Sequence, residues 1–213
     1  MEFSLDEIAF TVFVGCFLCY FLLMFLSFRR SKPTKFKVFS MIYENWVESR
    51  LGEESPLVAV QALRNFIMGN STFVSALFVL LGIILGFFGN FLNNTEDFFM
   101  TGFLSVGLAQ VGLIIFLIGF SLFNFILSIR YATRLSLLIT GKPLTFSMGP
   151  IKGSEITTDT LSHAQNHWSL GVRGLFYLIT SLAWLINALF LLIFSIAITL
   201  YLLYDHGIFQ KGR

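Results

Sequence analysis

The hydrophobic positions of the chain gather into four long runs that are separated by polar segments. The runs cover residues 8–28, 72–92, 100–129 and 174–204. Each reaches the roughly 20 residues that a helix needs to cross a bilayer. The last two contain no charged residue and would be about 45 Å long as straight helices, so they must tilt or bend. The pattern predicts four membrane-spanning helices with inner connections at 29–71 and 130–173.

The composition supports a membrane environment. Hydrophobic residues make up 56% of the 213 residues and charged residues 12%, about half the usual charged share of ~25%. A soluble fold cannot hide so much apolar surface, which excludes a water-soluble globular enzyme and a disordered chain. The two cysteines, Cys16 and Cys19, both lie in the first run and cannot build a disulfide framework. We expect residues 1–213 to form a single membrane domain.

The basic residues predict an orientation. The two inner connections hold 12 of the 14 Lys and Arg residues. The positive-inside rule then places both connections in the cytoplasm and both termini outside, in a cell membrane or an organelle inner membrane. Residues 93–97 become a tight outer turn between the second and third spans.

The first connection contains an apolar stripe with helical spacing, next to a basic cluster at 29–37. The stripe consists of Phe36, Phe39, Ile42, Tyr43 and Trp46. It predicts an amphipathic helix that lies in the membrane interface. Ser55-Pro56 predicts the start of a helix that continues into the second span. The second connection is predicted to begin as a loop, because it contains several Gly and Pro residues. Residues 159–168 are predicted to form a short helix before the fourth span. The fold class predicted is an all-α bundle of four membrane helices with interfacial helices on the cytoplasmic side.

Three stretches stand out by their order and spacing. Val60–Met68 is VQALRNFIM, Phe125–Ile139 is FILSIRYATRLSLLI, and Trp168–Tyr177 is WSLGVRGLFY. Together they resemble the domain-of-unknown-function family five-ninety-nine, whose members are small multi-span membrane proteins of bacteria and plants. The resemblance covers roughly Tyr43 to Leu192 and implies a four-span topology. It brings no substrate and no catalytic residue.

Three arginines lie at the inner ends of the second, third and fourth spans. Arg64, Arg130 and Arg173, with Asn65 beside the first, predict an anion or headgroup site, since guanidinium groups suit phosphate and carboxylate. The alternative is that these residues only flank the spans, where arginine reaches toward lipid headgroups and fixes the topology.

Two histidines four residues apart share one helical face. His163 and His167 have the spacing of metal or haem ligands, but two ligands do not complete a site, and an interfacial pair is the simpler interpretation. Cys16 and Cys19 have CxxC spacing without the βαβ context of a redox motif. We expect no cofactor.

The second span carries a close-packing motif, Gly82-x-x-x-Gly86, that predicts helix association. No nucleophile-elbow, P-loop or metalloprotease pattern occurs, and the spans lack Asp, Glu and Lys between their ends. The function predicted is therefore a non-catalytic subunit of a membrane complex, with lipids and other membrane subunits or a second copy as partners and no nucleic acid. The alternative is an anion or small-solute channel or transporter that uses the arginines. A haem- or metal-binding protein comes third.

Overall fold

The computed structural model describes residues 4–29, 35–51, 55–93, 106–141, 143–145, 147–148 and 151–205. In these ranges the chain forms six α-helices, a 3₁₀ turn at Pro143–Thr145 and a ribbon of two short antiparallel strands. The helices are α1 (Leu5–Arg29), α2 (Lys35–Leu51), α3 (Leu57–Asn93), α4 (Val106–Thr140), α5 (Gly153–Ala183) and α6 (Ala188–Asp205). The strands are β1 (Ser147–Met148) and β2 (Ile151–Lys152), which directly precede α5.

The predicted all-α class is confirmed. Four helical segments are long and apolar enough to cross a membrane, so the chain is a multi-pass membrane protein. The segments are Leu5–Leu26, Leu57–Phe87, Gly107–Thr140 and Ala188–Asp205. Residues 94–97 of the predicted outer turn lie outside the described residues, as do 100–105 at the start of the third predicted span.

The start of α1 follows directly from its sequence. The backbone N–H of Glu7 donates to the Ser4 hydroxyl at 3.3 Å, and the Glu7 carboxylate accepts from the Ser4 N–H at 3.0 Å. This reciprocal pair is a capping box, which satisfies two backbone donors that a helix start leaves free. Asp6 and Glu7 also place negative charge at the positive end of the helix dipole.

The helices extend beyond the predicted spans. As Ser55-Pro56 predicts, α3 begins at Leu57, and its 37 residues make it about 55 Å long. The next helix, α4, continues past residue 129 to Thr140, and α5 begins at Gly153 rather than at 159. Hydropathy detects only the apolar part of a helix, so it misses polar turns that continue beyond the hydrocarbon.

The chain divides into two compact units, each described by itself. Unit 2 comprises Lys35–Ala76 and Leu122–Val172. Its core is formed by Val47 of α2, Ala59 and Leu63 of α3, Leu135 and Ile139 of α4, and Leu161 of α5. The predicted helix at 36–46 is confirmed within α2, which packs on this core through Tyr43 and Trp46. Val38, Phe39, Met41 and Ile42 on α2 remain exposed.

Unit 1 comprises Met1–Thr34, Leu77–Ser121 and Arg173–Arg213. Within it, α5 and α6 form an antiparallel hairpin, because the chain reverses at residues 184–187. The Tyr177 and Thr199 hydroxyls are 3.1 Å apart, and the Phe176 and Tyr201 rings are 5.9 Å apart. The predicted fourth span at 174–204 is therefore two helices and not one.

In unit 1, α1 runs antiparallel to the end of α5. Asp6 accepts a 2.9 Å hydrogen bond from Trp184 Nε1, Phe13 packs edge-on against Tyr177, and Met24 contacts Arg173. Ser4 thus lies near the turn of the hairpin and Asp205 at the opposite end. The expectation that both termini face outside assumed one continuous span from 174 to 204, and it stays a prediction.

Two glycines of α5 allow close approach to α4. In unit 2, a Cβ atom on Gly171 would lie 2.9 Å from Cε1 of Phe125. In unit 1, a Cβ atom on Gly174 would overlap Ser121 Oγ and lie 2.9 Å from Phe120 Cδ1. Each glycine therefore leaves space that a neighbouring side chain on α4 fills.

Adding one methyl group at Gly174 should lower the stability of the protein. We expect Gly174→Ala to cost about 1–3 kcal/mol, because Ser121 and Phe120 must shift to make room. Thermal unfolding in detergent measures the loss. The matched control is Gly112→Ala on α4, where a Cβ atom meets no neighbour among the described residues. A Gly174→Ala midpoint no lower than that of the control would contradict close α4–α5 packing.

The α5–α6 hairpin leads to a second prediction, which concerns the side of the membrane that each end of unit 1 faces. Single cysteines replace Ser4 and Asp205 in a background without Cys16 and Cys19. This prediction takes the end of α5 as a fifth crossing beside the four apolar segments, so an odd number of crossings separates the two positions. An impermeant maleimide should then label them from opposite faces of the membrane. Sealed vesicles of both orientations provide the measurement. Labelling of both positions from the same face would instead support the four-span prediction.

Candidate functional site

The structure distributes the four residues of the predicted anion site over both units. Arg64, Asn65 and Arg130 belong to unit 2, where all three side chains are exposed. Arg173 belongs to unit 1, where it is half-buried. The shared site of three arginines stays a prediction, but their surroundings differ: only Arg173 is enclosed by other side chains.

The Arg173 guanidinium lies against α1. Its Nη1 donates to the sulfur of Met24 at 3.0 Å, and its central carbon lies 5.8 Å from the centre of the Tyr20 ring. A thioether is a weak acceptor, and a cation over an aromatic face gains about 0.5–2 kcal/mol. These partners fix the position of the guanidinium without neutralising its charge.

Two buried hydroxyl groups accompany Arg173. Tyr20 and Ser121 are fully buried, and neither hydroxyl has a hydrogen-bond partner among the described residues. Ser121 Oγ is the atom that a Cβ on Gly174 would overlap, which places it beside the residue after Arg173. Next to Tyr20, the Tyr177 hydroxyl is paired with Thr199. The interior of unit 1 therefore holds two hydroxyls without a partner among the described residues, as well as this paired set.

The histidine pair lies in unit 2 against one tyrosine. The Tyr131 ring of α4 stacks on His163 and His167 of α5, with centroid distances of 5.2 and 5.6 Å. His167 Nδ1 is 3.0 Å from Asn124 Oδ1, and since an amide oxygen only accepts, the ring donates through Nδ1–H. One turn away, the Ser128 hydroxyl donates to the Ala164 carbonyl at 2.8 Å. The pair thus belongs to a polar seam that joins α4 and α5.

The described residues contain no group of three or more His, Cys, Asp or Glu side chains that could hold a metal ion. Within this part of the chain His163 and His167 therefore lack the further ligands of a closed metal site. Stacking on Tyr131 and the Asn124 contact account for their positions.

The predicted packing glycines face away from the rest of the described chain. A Cβ atom on Gly82 or Gly86 would meet no neighbour within 4 Å among the described residues. Helix association through this face remains a prediction, and within the described chain the close contacts occur at Gly171 and Gly174 instead.

Sequence reasoning missed Tyr20 and Ser121 as members of a site. Tyr20 is one aromatic residue in a Phe-rich span, and Ser121 is a small residue in another, so neither stands out. The available signal was a hydroxyl group deep in a lipid-spanning segment, which needs a partner because no water is present there.

The comparisons with known proteins give a family. Residues 8–210 match the family described as Protein of unknown function, DUF599. The chain belongs to this family. No curated protein and no solved structure matches it. The resemblance noted from the VQALRNFIM stretch is thereby confirmed, and membership in DUF599 assigns no activity.

The histidine seam predicts a pH dependence of stability. Burial lowers the pKa of His167 below its ordinary value of 6.5, and the nearby His163 lowers it further. The folded state therefore favours the neutral ring, and the unfolded state binds more protons below that ordinary value. The stability that the neutral His167 ring contributes is fully present above about pH 7 and is lost as the pH falls below 6.5. His167→Gln should reduce the difference in thermal midpoint between about pH 7.5 and 5.5.

His163→Gln provides the control, because His163 is exposed on the same helix. It should retain most of the pH dependence. An unchanged midpoint difference in His167→Gln would show that other groups cause the acid sensitivity.

Proposed function

We propose that this protein is a non-catalytic subunit of a membrane complex and that it binds its partner through the exposed face of α3. The observation that carries the proposal is the open surface at Gly82 and Gly86. The partner is another membrane subunit or a second copy of the chain.

The helix α3 is the least covered of the four membrane-length helices. Only 11% of the residues in its most apolar stretch are buried, against 44% in α4. Large apolar side chains surround the two glycines on the exposed surface: Phe78, Val79, Ile83, Leu85 and Phe87. In a bilayer such a surface contacts lipid or another helix.

The two glycines favour contact with another helix over contact with lipid. A glycine inside a helix is about 1 kcal/mol less favourable than alanine and gives lipid no better surface. Between two membrane helices it allows the backbones to approach, and van der Waals packing drives association there because lipid supplies no hydrophobic force. Two glycines four residues apart, with no covering neighbour in the described chain, favour a partner helix.

The orientation proposed follows from the basic residues together with the hairpin. The positive-inside rule places Arg173 at the cytoplasmic end of unit 1. Asp205 then faces the cytoplasm and Ser4 the opposite side. The exposed Val38, Phe39, Met41 and Ile42 of α2 favour contact with the lipid surface.

A bulky side chain on the α3 face should disrupt the complex. We expect Gly86→Leu to reduce the complex extracted from native membranes at least about tenfold, corresponding to about 1.4 kcal/mol. Native mass spectrometry and size-exclusion chromatography in mild detergent measure the assembly. A Cβ atom at this position meets no neighbour within 4 Å among the described residues, so the effect of the substitution should act on the partner contact.

The control is Gly15→Leu on α1. Gly15 is also exposed, with open space at its Cβ position, but it has no glycine four residues on. This variant should assemble like the wild type. A wild type that leaves native membranes as a lone monomer, or a Gly86→Leu variant that assembles normally, would refute the proposal.

A further inference from the structure

We propose that unit 1 binds one oxyanion at Arg173, between Tyr20 of α1 and Ser121 of α4. The ligand is the phosphate of an anionic lipid headgroup or a small free anion of the same chemistry. The site is independent of the α3 face, so it goes beyond the role of a subunit.

The first argument is the charge of Arg173. A guanidinium carries five N–H donors, and here one of them meets the Met24 sulfur while the Tyr20 ring covers a face. Among the described residues it contacts no carboxylate. A charge that is partly removed from water requires a counter-charge or strong acceptors, and a thioether supplies neither. An oxyanion would supply both.

The second argument comes from the two hydroxyl groups. Tyr20 and Ser121 are both 0% exposed, and neither hydroxyl has a partner in the described chain. Buried polar groups in proteins are almost always hydrogen-bonded. The Tyr20 ring lies beside the Arg173 guanidinium and Ser121 Oγ lies against Gly174, so the two unpartnered hydroxyls belong to residues that adjoin consecutive positions of α5. One oxyanion that reached the guanidinium and both hydroxyls would satisfy all three groups.

The depth of the site suits a headgroup. The Arg173 guanidinium touches Met24, two residues before the apolar stretch of α1 ends at Leu26. Long cationic side chains near the ends of membrane helices reach toward the phosphate level. The guanidinium is only half-buried, so an anion can approach it from this end.

One internal carboxylate competes for the same role. Asp205 ends α6, and the antiparallel hairpin places that end of α6 on the side of Arg173. Its negative charge opposes a second anion. We therefore expect the wild type to bind the anion and Asp205→Asn to bind it more tightly. If Asp205 were instead the counter-ion of Arg173, the wild type would bind no anion and Asp205→Asn would be less stable than the wild type.

The experiment uses the full chain in two settings. In non-ionic detergent, inorganic phosphate is titrated while the thermal midpoint is recorded. In nanodiscs of zwitterionic lipid, with or without an anionic phospholipid, native mass spectrometry counts the retained lipid. Phosphate binding alone identifies a free anion as the ligand, and retention of the anionic lipid identifies the headgroup.

The variants decide the outcome. Arg173→Gln should weaken binding at least about tenfold and Tyr20→Phe about threefold, as expected for one charge-assisted and one neutral hydrogen bond. Arg134→Gln, at an exposed arginine of unit 2, is the control and should bind like the wild type. Equal losses in Arg173→Gln and Arg134→Gln would indicate diffuse charge attraction and overturn the site.

A second readout covers variants that fold poorly. Tyr20→Phe and Ser121→Ala remove hydroxyls that lack partners, so without ligand they should be as stable as the wild type or more stable. Their stabilisation by phosphate or anionic lipid should nevertheless be smaller. Wild-type binding in both variants, or no binding to the wild type in either setting, would refute the proposal.

Discussion

The reversal of the chain at residues 184–187 determines the arrangement of unit 1. The backbone closes this turn with N–H groups of Trp184, Leu185 and Ile186 bonding three residues back, and Asn187 then accepts from the Leu189 N–H at 2.9 Å. Asparagine is a favoured N-cap, so it starts α6 as α5 ends. The hairpin brings Thr199 to Tyr177 and orders the polar groups around Arg173.

Trp184 anchors the same turn to α1. Its indole donates to Asp6 at 2.9 Å, and its ring stacks on Phe10 at 5.6 Å. A tryptophan with one apolar face and one hydrogen-bonded edge suits the boundary between lipid and water. The turn is thereby fixed at one end of unit 1, and Arg173 lies toward the other.

The sequence was sufficient for most helices and insufficient for the turn. Hydropathy found the apolar helices, Ser55-Pro56 predicted the start of α3, and the aromatic stripe predicted a face of α2. Residues 174–204 contain no charge and no proline, so no strong break is visible. Asn187 was the available signal, but an asparagine within an apolar run also suits a hydrogen bond between helices. The tertiary contacts of Tyr177 and Trp184 decide between these cases.

The same reasoning explains why the candidate site was only partly foreseen. Arginine is conspicuous in a chain with 12% charged residues, whereas Tyr20 and Ser121 gain their meaning from being buried beside Arg173. For the glycines, the sequence motif and the observed contacts disagree. Gly82 and Gly86 match a known packing motif but face away from the described chain. Gly171 and Gly174 match no motif but lie at the close contacts. A spacing shows which residues share a face but not which element covers that face.

The two ends of unit 1 are consistent with the thickness of a bilayer. Asp6, which holds Trp184, and Met24, which touches Arg173, are 18 residues apart on α1, or about 27 Å. This is close to the ~30 Å of a hydrocarbon core. The polar contacts of α1 therefore lie at the depths where water and headgroups begin. At one end an acid is satisfied by an indole, and at the other a half-buried cation meets a thioether and an aromatic ring. The unequal satisfaction of the two ends is the physical reason to look for an anion at Arg173.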